Sequence, residues 1–537
     1  MVDPQGRAEG TPASCTSRLA RAALIWLVFS CGVAVMGLEM CASRLIAPYF
    51  GSTLSVWTSL IGLVLIFLTA GYYLGGALAD RFASRFVLGA IVIAAGATIL
   101  AVPVLSQRVL GAAWALTPSA GILASSLVGT FALFSVPMVL LGCVCPFAMK
   151  LCISDLGRTG RTAGHVYAVS ALGSVVGTFL PALFMIDAWG VRHSIMAFGA
   201  LLILAGLLLA GRLRFAPAAA PVLLFLAPLP PMLPANGAIA QEESPYNYLQ
   251  VVGMGDARIL VADWGGYSMY LPGQFRTHQY FDYLLLAPLL GRSLLLPPSQ
   301  ASSGGGLHDV LIIGLGAGTA AKQITQAYGP LPIDGVEIDP DVVALGREHF
   351  AMNEPNLRVH VTDGRAFLGT STGRYDWAIV DAYQGSDIPF HLVTAEFFRQ
   401  IRDHLRPGGV LAINIAWWTP ADPELLERIV ASVRTAFPSV YTVTGISEQS
   451  GAVLLAGGDD ASPDNLMPNA QLVGHAGLAE IVHEVTRAGP AKLAKAVGSG
   501  RPLTDNCAPV GRIADRCYRR LRQQAYARER QAVSLNP

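Results

Sequence analysis

The chain has 537 residues, of which 53% are hydrophobic and only 14% are charged, and its mean hydropathy is +0.48. This composition excludes a wholly soluble protein, so part of the chain is expected to lie in a membrane, and the length allows more than one domain. The formal net charge of +1 argues against a nucleic acid as a partner. The eight cysteines show no zinc-type spacing, and we expect neither a metal site nor a disulfide framework.

Residues 1–22 are predicted to be a disordered tail. Residues 23–214 are predicted to be a membrane domain of six helices, because windows of about 20 apolar residues recur along this part of the chain. The predicted spans are Ala23–Ile46, Val56–Ala79, Phe86–Leu105, Leu123–Ala148, His165–Ala188 and Ser194–Leu213.

Basic residues concentrate before the first predicted span and after the second, fourth and sixth. The positive-inside rule therefore places the N-terminus in the cytoplasm, and six spans return the chain there. The loop Gly75–Arg85 resembles the cytoplasmic loop between helices two and three of the major facilitator superfamily, which agrees with this orientation.

Residues 215–241 are rich in proline, which interrupts the apolar run Val222–Ala227. Proline inside a helix costs about 3 kcal/mol, so we favour a linker over a seventh membrane segment. The path of this segment decides on which side of the membrane the rest of the chain lies. A linker predicts a multi-pass protein of the cell membrane with its soluble domain in the cytoplasm.

Residues 242–520 have the composition of a soluble domain, and residues 521–537 are a basic C-terminal tail. Short strands over Tyr246–Tyr270 predict a small β-layer, and a helix is expected over Arg276–Leu290. Strands and helices then alternate to about Ile415, as in a parallel doubly wound sheet.

The segment Asp309–Asp339 has the order strand, glycine turn, helix, strand and acid that is typical of a nucleoside site. Gly314, Gly316 and Gly318 allow the backbone to approach a ligand closely, and the helix that follows presents free N–H groups. Glu337, at the tip of the second strand, suits a ribose diol. The GxGxG spacing favours an S-adenosylmethionine-type site over a dinucleotide site.

Two more carboxylates follow predicted strands, Asp363 beside Gly364 and then Asp381. Open α/β sheets bind their ligands at the carboxyl ends of the strands, so these residues are candidates for the same site. The alternative is that each carboxylate caps the helix that follows it.

Several stretches together resemble the spermidine synthase family of polyamine aminopropyltransferases. They are SPYNYLQV (Ser244–Val251), GLGAGT, VEIDP, DGRAFL, YDWAIVDAY, LRPGG and LTDNCAPV (Leu503–Val510). The apolar N-terminal part, with GLEMCASRLIAPYFGSTLSVWTSLIG, resembles the bacterial members of that family that are fused to a membrane domain.

The resemblance implies an α-helical multi-pass membrane domain followed by a Rossmann-like α/β domain of the S-adenosylmethionine methyltransferase type. It implies decarboxylated S-adenosylmethionine as co-substrate, no tightly bound cofactor, an acceptor amine such as putrescine, and a homodimer formed through the soluble domain. By the family motif, Glu337 would hold the ribose hydroxyls, Asp363 would bind the adenine amino group, and Asp381 would take the proton from the attacking amine.

The sequence departs from the family pattern in the substrate pocket. Ala317 stands where an aspartate usually grips the aminopropyl ammonium, and Gln384 replaces an acidic residue. Asn247 stands where glutamine is common, and Tyr280-Phe281-Asp282 where Tyr-His-Glu is usual. Two alternatives therefore stay open: methyl transfer from S-adenosylmethionine itself, and a non-catalytic domain that binds a nucleoside or polyamine on a transporter-like membrane protein.

Overall fold

A computed structural model describes most of the chain. The described residues are 18–117, 121–153, 159–211, 220, 222, 229, 232–233, 237–263, 265–291, 306–383, 388–416, 422–446, 451–514 and 516–517. The chain divides into two compact units, which meet in sequence between Met232 and Leu233. Residues 1–17, the predicted C-terminal tail and most of the proline-rich segment lie outside the described residues, so whether that segment crosses a membrane stays a prediction. Residues 18–22, which were predicted to belong to the disordered N-terminal tail, are helical, because the first apolar helix begins at Arg18.

The first unit is helical. Its helices are α1 (Arg18–Phe50), α2 (Leu54–Arg81), α3 (Arg85–Leu116), α4 (Gly121–Gly142), α5 (Val144–Cys152), α6 (Thr159–Leu180) and α7 (Ile186–Ala210), with a π-helical turn over Pro181–Met185 between the last two. Within the described residues, five continuous helical segments are long and apolar enough to cross a membrane.

The fifth of these segments, Thr159–Ala210, covers two of the six predicted spans. A straight helix of its 52 residues would be about 80 Å long, against a hydrocarbon core of about 30 Å. The segment is broken at Gly190, whose φ of 74° and ψ of 171° are not helical. The break falls between the fifth and sixth predicted spans, and the count of six crossings stays a prediction.

Glycines set how these helices pack. A Cβ on Gly173 or Gly177 of α6 would overlap the carbonyl oxygen of Phe29 or Val33 of α1, so α6 runs parallel to α1 in close contact. Gly89 and Gly96 of α3 likewise face Gly206 and Gly199 of α7, and that pair is antiparallel. Small residues permit such approach between helices that have little hydrophobic drive to associate in lipid.

The second unit begins with a four-stranded antiparallel sheet in the order β1-β2-β3-β4. Its strands are β1 (Ala238–Glu243), β2 (Tyr248–Met254), β3 (Ala257–Ala262) and β4 (Gly265–Tyr270). This is the predicted β-layer with one strand more, because β1 lies in the segment assigned to the linker and pairs with β2.

The main sheet has eight strands in the order β12-β10-β11-β9-β8-β5-β6-β7. They are β5 (Val310–Ile313), β6 (Ile333–Glu337), β7 (Leu357–Val361), β8 (Tyr375–Val380), β9 (Leu405–Ile415), β10 (Ser439–Val443), β11 (Ala452–Gly457) and β12 (Leu493–Lys495). Strands β5 to β9 are mutually parallel, and β11 runs antiparallel to β9. This is the Rossmann-like order of S-adenosylmethionine methyltransferases, so the predicted fold class is confirmed.

Helices flank this sheet. They are α8 (Tyr280–Leu284), α9 (Ala287–Leu290), α10 (Thr319–Tyr328), α11 (Pro340–His349), α12 (Gly364–Thr370), α13 (Ala395–His404), α14 (Glu424–Val433), α15 (Leu466–Val473) and α16 (Ala476–Ala488). Successive residues of β5 enter opposite cores, Val310 and Ile312 on one face and Leu311 and Ile313 on the other. Burial on both faces explains why the parallel strands are continuous apolar runs.

The chain order reverses between β5 and β8, the neighbouring strands at the centre of the sheet. The connection after β5 leads to β6 on one side, and the connection after β8 leads to β9 on the other. The two connections diverge at this point and leave a crevice between them at the carboxyl ends of the strands. The glycine turn follows β5 and Asp381 follows β8, so the two predicted parts of the site border this crevice.

Candidate functional site

The glycine turn has the backbone conformation that its sequence requires. Gly314, Gly316 and Gly318 have φ angles of 86°, 58° and 86°, in the left-handed region that side chains disfavour. A Cβ on Gly314 would overlap the backbone of Asp381, which ties the turn to the end of β8. Gly318 caps α10, so the N-terminal end of that helix faces the crevice.

Glu337 ends β6 and is 5% exposed. The backbone N–H of Gly316 donates to its Oε2 at 2.8 Å, and that of Asp339 donates to its Oε1 at 3.1 Å. Burial raises the pKa of Glu337 to about 7, and these backbone donors oppose the rise. The carboxylate thus lies against the glycine turn, where the sequence placed a ribose ligand, although it does not cap a helix.

Asp363 caps α12, since its Oδ1 accepts the N–H of Ala366 at 2.8 Å. Its Oδ2 lies 3.2 Å from Nε2 of His391. The next residue, Gly364, is buried, and a Cβ there would overlap the side chain of Ile313 in β5. Asp363 therefore caps a helix, which was the alternative role considered from the sequence. Adenine binding by this residue stays a prediction.

Asp381 follows β8 and is held by two donors. The hydroxyl of Tyr280 donates to its Oδ2 at 2.9 Å, and Nδ2 of Asn414 donates to its Oδ1 at 2.8 Å. Burial raises the pKa of Asp381 to about 7, the two hydrogen bonds lower it, and the nearby charge of Glu337 raises it. A carboxylate poised near neutral pH is suited to accept a proton during catalysis.

Three residues that the sequence did not single out complete the surroundings of Asp381. Asn414 comes from β9, and its backbone carbonyl accepts the hydroxyl of Tyr383 at 2.9 Å. Tyr267 of β4 donates its hydroxyl to the backbone carbonyl of Tyr383. Asn414 is a polar residue in the apolar run Val410–Ile415, at the carboxyl end of a parallel strand. That feature of the sequence could have identified Asn414 as a site residue.

The β-layer also contacts the glycine turn. The N–H of Ala317 donates to Oγ of Ser268 in β4 at 2.8 Å. Ala317 is 1% exposed, so this position offers a ligand no charged group. Ser268 is a further residue that the sequence did not identify, because nothing local indicates which element the hairpin meets.

The remaining predicted pocket residues lie in different surroundings. Asn247 is buried in the Ser244–Asn247 turn and hydrogen-bonds Asp339, the N-cap of α11. Gln384 lies outside the described residues. The predicted helix over Arg276–Leu290 is wrong in its first part, since helical structure starts at Tyr280.

Asp282 is fully buried and its carboxylate is occupied. It accepts the N–H groups of Thr277 and His278 at 2.9 and 3.0 Å and Nε2 of Gln323 at 2.9 Å, and it pairs with Arg276. Here Asp282 organises the loop before α8, and that loop displaces the start of the helix. These partners occupy both carboxylate oxygens of Asp282, and its assignment to the substrate pocket stays a prediction.

No group of three or more His, Cys, Asp or Glu in the described part of the chain could hold a metal ion. What the site offers is a left-handed glycine turn, the N-terminal end of α10, and a carboxylate of raised pKa that accepts a tyrosine hydroxyl and an asparagine amide. These groups suit a reaction that places a nucleoside donor next to a proton acceptor.

Residues 298–448 match the family model described as the spermine/spermidine synthase domain. Over 205 residues the chain is 36% identical to a probable polyamine aminopropyl transferase of Bifidobacterium longum, covering 38% of this chain and 43% of that protein. It is 32% identical over 151 residues to a polyamine aminopropyltransferase of Vibrio vulnificus, covering 27% and 49%. The chain thus spans less than half the length of these relatives.

The crystal structure of a probable spermidine synthase from Corynebacterium glutamicum aligns with 50% of this chain and 98% of that chain, at 19% identity and a TM-score of 0.35. Residues 298–448 therefore match the spermine/spermidine synthase domain, and the two relatives are described as polyamine aminopropyltransferases.

Proposed function

Starting from that domain, we propose that the protein is a membrane-anchored aminopropyltransferase that moves an aminopropyl group from decarboxylated S-adenosylmethionine to an amine such as putrescine. The observation that carries the proposal is the hydrogen-bonded carboxylate of Asp381, held by Tyr280 and Asn414 beside the glycine turn. Relatives with the same domain are described as aminopropyltransferases.

The reaction needs a base and a positioned donor. The lone pair of the acceptor amine attacks the propyl carbon bonded to sulfur, the C–S bond breaks, and its electrons stay on sulfur as methylthioadenosine leaves. The amine loses one proton, which Asp381 accepts in its ionised form. The sulfonium is already a good leaving group, so placing the two reactants accounts for much of the rate.

Residues on neighbouring strands would hold the donor. In this proposal Glu337 binds the ribose hydroxyls and Asp363 binds the adenine amino group. The turn of Gly314, Gly316 and Gly318 lies against the adenosyl group. The left-handed turn and the position of Glu337 against it support this assignment. Tyr280 lines the acceptor side and orients Asp381.

Methyl transfer from S-adenosylmethionine itself is the second candidate, and Ala317 favours it. An aminopropyl ammonium calls for a carboxylate partner, whereas Ala317 is buried and apolar. S-adenosylmethionine carries a carboxylate of its own, which would be repelled by an acid at this position.

The five long apolar helices support membrane anchoring. We place the second unit in the cytoplasm, because the basic residues of the helical unit concentrate on the side where its N-terminus lies. A homodimer through the second unit belongs to the same proposal.

Binding and turnover by the full chain in detergent test the proposal. Calorimetry would compare decarboxylated S-adenosylmethionine, S-adenosylmethionine and methylthioadenosine, and chromatography would follow methylthioadenosine release with putrescine present. Tighter binding and turnover of the decarboxylated donor are expected. Release of S-adenosylhomocysteine from intact S-adenosylmethionine, with no methylthioadenosine formed, would establish methyl transfer instead. Binding without turnover of any amine would establish a non-catalytic site.

A further inference from the structure

A cavity of about 370 Å³ opens between α1 and α6 at their N-terminal ends. Part of its wall is apolar, formed by Leu24, Val28 and Val169, and its rim carries Arg21, Arg161 and His165. A cavity of this size falls within the range of small-molecule sites, which is about 300–1,000 Å³.

The helix packing explains why the cavity is there. Gly173 and Gly177 hold α6 tightly against Phe29 and Val33 of α1, and the two helices run parallel. About two turns toward the N-termini, the same register brings Arg21 to the level of His165. On this face of α6, Val169 and His165 occupy the positions that correspond to Gly173 and Gly177, so the helices separate and leave the cavity.

The rim is positively charged, and no acidic residue in the described part of the chain lines the cavity to offset that charge. Arg21 and Arg161 lie in the first turns of α1 and α6, and neither first turn contains an acidic residue. None of the residues that line the cavity is acidic, and in the described parts of the chain neither arginine forms an ion pair. Basic side chains at helix N-termini are electrostatically unfavourable, because those ends already carry partial positive charge. A bound anion would reverse that effect.

We propose that this cavity binds the headgroup of an anionic phospholipid. Arg21 and Arg161 would pair with the phosphate, His165 would add a hydrogen bond, and the acyl chain would follow the apolar wall. A free phosphate would satisfy the arginines but would leave that wall unused, which is why we assign the site to a lipid. Basic pockets between membrane helices on the cytoplasmic side are suited to such headgroups. The inference rests on the proposed membrane anchoring and not on the transferase chemistry.

Native mass spectrometry of the full chain in mixed micelles tests this site. The probes are phosphatidylglycerol and, as the zwitterionic competitor, phosphatidylcholine. We expect wild type to retain phosphatidylglycerol. The double variant Arg21→Gln/Arg161→Gln should bind it about twenty-five-fold more weakly, since each arginine near an anionic headgroup contributes about fivefold. The matched control is Arg85→Gln, which removes an exposed arginine from the first turn of α3 outside the cavity.

A second variant separates the cavity from general surface charge. Val169→Phe fills the cavity and keeps every charge, and it is expected to lose the lipid as the double variant does. Equal loss in Arg85→Gln, or no preference for phosphatidylglycerol in wild type, would overturn the proposal. Thermal stabilisation by inorganic phosphate equal to that by the lipid would overturn its assignment to a lipid.

Two separate measurements keep the proposals distinct. If the chain is absent from the membrane fraction of cells, the anchoring fails and this site with it. Aminopropyl transfer is measured on the same preparations and is expected to be unchanged in both cavity variants.

Discussion

The carboxylate of Asp381 lies between a phenol and an amide, and these two donors decide what it can do. Both hydrogen bonds favour the ionised form, while burial favours the protonated one. The balance leaves the pKa near 7, where the group can accept a proton and still release it after each turnover.

Replacing Asp381 with Asn removes the proton acceptor while keeping the size of the side chain. We expect turnover to fall by about 10²–10⁴-fold, the usual contribution of a positioned base. Binding of the donor, measured by calorimetry, should stay within about threefold, since general acid–base loss acts on the chemical step. Unchanged turnover would remove Asp381 from the mechanism.

The pH dependence of kcat/KM follows from the same group. Asp381 must be ionised to act, so the rate should rise with pH through about 7 and level off above it. Asn414→Leu removes one donor to the charged form, so the pKa rises and the midpoint of the profile should move up by about one pH unit. The backbone carbonyl that receives Tyr383 is untouched by this change. A midpoint that does not move would contradict a positioning role for Asn414.

At the scale of single elements, the glycine turn joins three parts of the fold. Gly316 has φ of 58°, donates to Glu337 and packs against Ser268, so its conformation and its surroundings both exclude a side chain. Gly329, at the C-terminal end of α10, has a positive φ of 85° but open space around it.

This contrast supplies a matched pair of variants. Both Gly316→Ala and Gly329→Ala should cost about 1–3 kcal/mol of unfolding free energy, because both positions have a positive φ that an alanine side chain disfavours. Only Gly316→Ala should also weaken donor binding, by about tenfold or more in calorimetry, because the new Cβ pushes against Ser268 and shifts the turn. Equal donor affinity in the two variants would place the ligand elsewhere.

The contact between α1 and α6 allows a similar test in the helical unit. Gly177→Ala introduces a methyl group that overlaps Val33, so the thermal midpoint in detergent should fall. Gly164→Ala, in the same helix with nothing nearby, should be neutral or stabilising by up to about 1 kcal/mol, because alanine is the better helix former. A rise in both midpoints would mean that the two helices do not touch in solution.

For the whole molecule, the proposed membrane anchoring predicts that the second unit lies on the cytoplasmic side. Cys507 is exposed on that unit, which makes it a natural probe. In a Cys15→Ser/Cys152→Ser background, a membrane-impermeant maleimide should label Cys507 only after cells are permeabilised. Adding Cys507→Ser should abolish the signal. Labelling in intact cells would put the domain outside and make the proline-rich segment a seventh span.

The sequence alone determined the local features, because each depends on a few adjacent residues. Apolar runs identify helices long enough for a membrane, and buried parallel strands are apolar throughout. The glycine spacing predicted a turn at Gly314, Gly316 and Gly318, and Glu337 was placed at the end of the strand that follows. These conformations are dictated by backbone sterics and burial, which the local residue types reveal.

Only the tertiary structure decided which polar side chains meet. Asp282 and Asp381 have the same chemistry in the sequence, yet the first is enclosed by a loop and Gln323, while the second is shared by Tyr280 and Asn414. The partners of Asp381 come from distant parts of the chain, and the choice among them depends on how β4, α8 and β9 pack. The physical reason is that a buried polar group takes whatever partner the packing of distant segments brings to it, and no local pattern encodes that packing.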